Sequence, residues 1–141
     1  MKPETWSMYV GEEQGSHPSF YDELVNGRKI ELADEMIVED FHDHATHGIG
    51  LENFKSPCTV MLRKFPDIQA KGEDLIAEGD KVVARVEFTA TQAGSFRGFP
   101  PSNRKVTFSG MDIFRFMKGK IVERWVQRDF LRMLEKLGHI R

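Results

Sequence analysis

Apolar residues recur at helical spacing through the first part of the chain and at every second position afterwards, with the change falling near Pro66. Residues 1–18 keep neither period, because Gly11, Gly15 and Pro18 interrupt them; an irregular arm is expected there, with Trp6, Met8, Tyr9 and Val10 available to dock on a surface. Ser19 with Asp22 three residues on is the acidic form of a capping box, and it opens a helix through Phe20, Tyr21, Leu24 and Val25 that stops at Asn26-Gly27. A second helix is expected over about 29–37, where Ile30, Ala33, Met36 and Ile37 form one apolar stripe. The polar stretch Glu39–His44 reads as an edge strand or turn. A third helix has Ser56 as N-cap and Pro57 at its first position, with Cys58, Met61, Leu62 and Phe65 on one face and room to extend back through Phe54 and Leu51.

Beyond Pro66, residues 68–78 end at the Gly79-Asp80 turn, and Val82, Ala84, Val86 and Phe88 alternate with more polar neighbours as a half-buried strand. Gly94 to Pro101 form a loop. Two further strands, 106–117 and 121–129, are joined at Met117-Lys118-Gly119-Lys120, a three-residue hairpin loop with Gly119 in the left-handed position. A short amphipathic segment over 130–137 is stopped by Gly138. Helices followed by a meander of antiparallel strands predict an α+β fold, with the helices on one face of a curved sheet.

The length of 141 residues is that of a single domain, expected over 19–141, and 40% hydrophobic residues with 11 Phe suffice for a core. Twenty Lys+Arg against 22 Asp+Glu leave a charge of −2, which offers nucleic acid no electrostatic footprint. Cys58 is the one cysteine, so internal disulfides and cysteine metal clusters are excluded. No apolar run approaches the roughly 20 residues that span a bilayer, and the opening residues lack the apolar stretch of a signal peptide. A soluble, cytoplasmic protein is expected.

Two places carry candidate chemistry. His42 and His44 share a face if they lie on a strand, and such a pair can grip a metal; the sequence names no third ligand, so surface or hydrogen-bonded histidines are the preferred reading and no metal is expected. Asp112 lies in the apolar strand Phe108–Phe116, where an unpaired carboxyl is costly to bury, so it is neutral, paired or turned to solvent. A three-residue hairpin loop would set Asp112 opposite Arg124 and Phe114 opposite Val122; a two-residue loop would bring Trp125 beside Asp112 instead. Tyr21, Met61, Phe65, Phe88 and Trp125 are either plain core or the wall of a cavity. Cys58 reads as core, and neither a phosphate loop nor a nucleophile elbow is present.

The stretches Asp74–Arg85, Gly98–Ser102, Met111–Phe116 and Gly119–Trp125, with Asp40–His44, Phe65–Asp67 and the closing Asp129–Gly138, resemble the SnoaL-like polyketide cyclase family over about residues 20–138. The resemblance implies the nuclear transport factor 2-like fold, a cone of three helices against a strongly bent sheet around an apolar pocket. It implies acid–base chemistry on a hydrophobic polyketide or terpenoid-like substrate without metal or organic cofactor, and pairing of two copies into a homodimer. Asp112 stands where the related ketosteroid isomerase has a hydrogen-bond-donating Asp. His44 stands near that enzyme's base, and Phe20, with Tyr21 beside it, near its catalytic Tyr. The Asp that polyketide cyclases carry directly after the tryptophan is replaced by Val126, with Asp129 the next acid. The expectation is a cofactor-independent isomerase or cyclase with His44 as base and Asp112 as acid. Both would face one pocket with Phe114, Val122, Arg124 and Val126, and Tyr21, Met61, Phe65, Phe88 and Trp125 would hold substrate. A hydroxylase-related protein and a non-catalytic ligand-binding or dimerisation module are the alternatives.

Overall fold

The computed structural model describes residues 20–141; the arm expected over 1–18 and the Ser19 cap lie outside the described residues. The first helix, Phe20–Val25, is wound as a π-helix: the Asn26 amide donates to Tyr21 O at 2.8 Å and the Lys29 amide to Leu24 O at 3.0 Å. This wider winding buries the adjacent Phe20 and Tyr21 together with Leu24, and π turns are frequent at functional sites. The second helix is a 3-10 turn, Ile30–Leu32, running into α1, Ala33–Met36. It ends one residue sooner than expected, because Ile37 is extended and begins β1, Ile37–Asp43.

β1 is an interior strand rather than the edge strand or turn read from its polarity. It lies between the two-residue β2, Gly48–Ile49, and the strand that closes the hairpin. Phe41 and Asp43 are fully buried from its inner face, which is why the segment belongs inside. α2, Glu52–Lys64, starts a turn before the expected Ser56 cap and carries Pro57 inside it. Burial of Phe54 in the core outweighs the capping preference, since a buried Phe contributes about 1.5–3 kcal/mol against roughly 1 for a cap.

The period-two region folds as anticipated into β3 (Gln69–Glu78), β4 (Lys81–Thr91), β5 (Lys105–Met117) and β6 (Lys120–Arg128). The sheet order is β2-β1-β6-β5-β4-β3, antiparallel throughout except for the parallel β1–β6 pair. α3, Phe130–Lys136, follows, and Asp129 caps it by accepting the Arg132 amide at 3.0 Å. Asp129 is thereby a helix cap and does not stand in for the missing acid at position 126.

The β5–β6 hairpin corrects the expected register. Met117 pairs with Lys120, so the turn has two residues, Lys118 and Gly119, both at positive φ (50° and 80°). Such a turn matches the twist of the strands it joins. Between Phe116↔Ile121 and Arg115↔Glu123 the pairing slips by one, leaving Val122 as the bulged residue. The slip sets Phe114 opposite Arg124 and Asp112 opposite Val126. Neither simple loop anticipates that pairing, because turn and bulge each shift the register by one.

Candidate active site

Arg124, Val126 and Arg128 follow one another on the inner face of β6, opposite Phe114, Asp112 and Gly110 of β5. Between this face and the helices is a cavity of about 290 Å³, whose wall is largely apolar: Phe20, Phe54, Cys58, Met61, Leu62, Ile68, Phe88, Phe108, Val126 and Phe130. Tyr21, Arg124 and Arg128 supply its main polar groups, with Thr46 at one side.

Behind these polar groups stand two fully buried carboxylates, neither of which lines the cavity itself. Asp112 accepts the Tyr21 hydroxyl at 2.5 Å and is paired with both Nη atoms of Arg128, the longer contact being 3.3 Å. Asp43 accepts Arg124 Nη2 at 2.7 Å and the Ala45 amide at 2.9 Å. Each guanidinium also lies against an aromatic face, Arg128 at 4.5 Å from the Phe88 ring centre and Arg124 at 5.0 Å from that of Phe54. Of the states left open for Asp112, the structure selects the paired one, and the partner is Arg128 rather than Arg124. Leaving a buried carboxylate without its guanidinium would cost several kcal/mol, so each pair is a rigid unit. Gly110 is what lets Arg128 reach: a Cβ there would come within 2.8 Å of Arg128 Cδ and of Gln127 O. Burial raises the Cys58 thiol above its usual range, which keeps it protonated in the wall.

The other expected site residues divide. Tyr21, Met61, Phe88, Arg124 and Val126 meet at the cavity. Phe114 is buried beneath it against Phe20, ring centres 5.0 Å apart, and Phe65 packs edge-on to Phe96; neither is in the wall. Val122, expected at the pocket, is the bulged residue. Trp125 and His44 lie on the opposite face of the sheet, their rings stacked 4.7 Å apart, and His44 Nε2 donates to Glu123 Oε2 at 2.6 Å. His44 and Asp112 therefore do not share a pocket. Glu123 is held below the usual carboxylate range by the His44 hydrogen bond and by Arg115.

Asp43 and Arg128 are the polar groups that sequence reasoning passed over. A signal for Asp43 was present: alternation from the apolar Phe41 turns Asp43 inward and both flanking histidines outward. Arg128 had none beyond its even spacing from Arg124.

A curved six-stranded sheet with helices across one face and a pocket between them defines the nuclear transport factor 2-like class of α+β proteins. Within that class the sequence matches the SnoaL-like polyketide cyclase family over residues 17–137, and the chain belongs to this family. A crystal structure described as a candidate polyketide cyclase from Bacillus cereus is 33% identical, with 86% of this chain and 77% of that chain covered and a TM-score of 0.71. IdmH from Streptomyces antibioticus, described in the same way, is 28% identical over 84% of this chain and 93% of its own, with a TM-score of 0.73. A structure from Jannaschia sp., described as a candidate SnoaL-like polyketide cyclase, shares the fold over 100% of this chain and 98% of its own at 21% identity, with a TM-score of 0.84. No curated protein sequence matches the chain.

Proposed function

We propose that the chain is an isomerase or cyclase that moves a proton next to a carbonyl of a hydrophobic polyketide or terpenoid-like substrate, using side chains alone. One observation carries this reading: a tyrosine hydroxyl hydrogen-bonded to a buried carboxylate, in the wall of a mostly apolar cavity that also presents two guanidinium groups. The substrate's α-C–H bond breaks as its proton passes to the Tyr21 oxygen, while the Tyr21 hydroxyl proton passes to Asp112 Oδ2. The electron pair left on the substrate forms an enolate, whose oxygen is met by Arg124 or Arg128. In isomerisation the Tyr21 proton is returned at a different carbon; in ring closure the enolate carbon attacks a second carbonyl, whose oxygen takes the Tyr21 proton. In both, Asp112 hands its proton back to Tyr21. A positioned acid–base group contributes about 10²–10⁴-fold, and the apolar wall contributes by fixing one reactive conformer. His44 has no part in this scheme, since it lies on the far face of the sheet.

A second reading, a non-catalytic ligand-binding module, is favoured by the complete pairing of Asp112 and Asp43. Proton exchange separates the two. With an aryl β-dicarbonyl compound in deuterated buffer, the enzyme reading expects α-hydrogen exchange accelerated by the protein and reduced about 10²-fold in Tyr21→Phe. Binding of the compound without accelerated exchange would establish the module instead.

A further inference from the structure

The face of the sheet turned away from the cavity carries a cluster that the proposed chemistry does not use. His42, on β1, and His44, the first residue beyond its end, project side by side, ring centres 4.1 Å apart, because the intervening Asp43 turns inward. The parallel pairing with β6 sets Glu123 opposite His42. One ligand atom from each of the three lies within 4.8 Å of the others, with Glu123 Oε2 at 2.6 Å from His44 Nε2 and 3.9 Å from His42 Nδ1.

We propose that His42, His44 and Glu123 form a binding site for a divalent transition-metal ion. Two imidazoles and one carboxylate suit zinc, nickel and copper, whereas calcium and magnesium favour sets built of oxygen alone. Metal–ligand bonds of about 2.0–2.2 Å place neighbouring ligand atoms roughly 3–3.5 Å apart. The two distances to Glu123 Oε2 straddle that range and the two imidazole nitrogens lie within 4.8 Å, so side-chain rotations alone close the site around an ion. Its surroundings already orient the ligands: Arg115 Nε donates to Glu123 Oε1 at 2.8 Å, leaving Oε2 for the ion, and Trp125 lies parallel to the His44 ring within 6°. The half-exposed His42 leaves one side open, where water completes the coordination. Because Glu123 shares its charge with Arg115 and the ion displaces the His44–Glu123 hydrogen bond, binding is weaker than at a closed structural site. An ion here clamps β1 to β6 one residue from Asp43 and Arg124, and so braces the strand pair that supports one wall of the cavity.

Calorimetric titration of the full chain with copper, nickel and zinc salts tests the site. One ion per chain is expected, with copper tightest, and His42→Ala, His44→Ala and Glu123→Gln are each expected to weaken binding at least about tenfold, whereas His47→Ala leaves it unchanged. Copper should also quench a tryptophan emission that disappears in Trp125→Phe, because that ring stacks on a ligand. Circular dichroism verifies that each variant is folded; the exposed histidine variants decide the matter if Glu123→Gln is not. Absence of binding, or weak binding at several sites that survives both histidine substitutions, would overturn the proposal, and neither result touches the proton chemistry of the cavity.

Discussion

At Asp112 the two partners decide what a substitution does. Asp112→Asn keeps the shape but removes the charge facing Arg128, leaving a largely buried guanidinium uncompensated. Chemical denaturation should register a loss of about 3–5 kcal/mol, so this variant loses folding stability as well as activity. The sequence left Asp112 neutral, paired or turned to solvent; its pairing with Arg128 is what makes the substitution costly to the fold. Tyr21→Phe is the cleaner probe. It removes one hydroxyl, leaves the Asp112–Arg128 pair intact and should cost about 1 kcal/mol, so a large loss of proton exchange in that variant reports on chemistry.

The β5–β6 hairpin is the element that builds the site. Its two-residue turn and the bulge at Val122 together put Arg124, Val126 and Arg128 on the cavity side, and Glu123 and Trp125 on the other. Gly110, across from Arg128, is required by this arrangement. Gly110→Ala should force Arg128 or the β6 backbone aside, lowering stability by about 1–3 kcal/mol in denaturation curves. It should also reduce exchange activity although position 110 offers no chemistry of its own. Unchanged stability and activity would mean that the strands yield easily here. The bulge was illegible because a hairpin's loop length and a bulge shift register independently, and alternation of apolar residues does not separate the two.

For the whole molecule, acid sensitivity has a definite sign. The Asp67 carboxylate accepts the Thr91 hydroxyl and amide, each at 2.7 Å, tying the α2–β3 connection to the end of β4, and these bonds hold its pKa below the usual range. A depressed folded-state value stabilises above the unfolded pKa and is lost as pH falls through the folded one. Urea denaturation should show stability declining below about pH 4, and less steeply in Asp67→Asn. Association is the second property at this scale. Ile76, Met111 and Met117 are more than half exposed on the face of the sheet that also carries Trp125, and a homodimer through this face is expected by light scattering at micromolar concentration. A monomer under those conditions would leave the apolar face to another role. Among the described residues no helix is long and apolar enough to cross a membrane.

The order of the helices and the long strands, the change from helical to strand period near Pro66, the α+β class and the apolar character of the cavity wall are legible in the chain itself. Each of these follows from which residues can be buried together at a given local spacing. It also presented Asp112 as an acid in an apolar strand and Tyr21 as a neighbour of the tyrosine position implied by the family resemblance. Tertiary structure alone decided the pairings. Whether Asp112 meets Arg124 or Arg128 depends on one bulged residue, and whether His44 meets Glu123, 79 residues away along the chain, depends on where an interior parallel strand docks. Those choices are made by strand register and by contacts distant in sequence, and no local pattern of side chains encodes them.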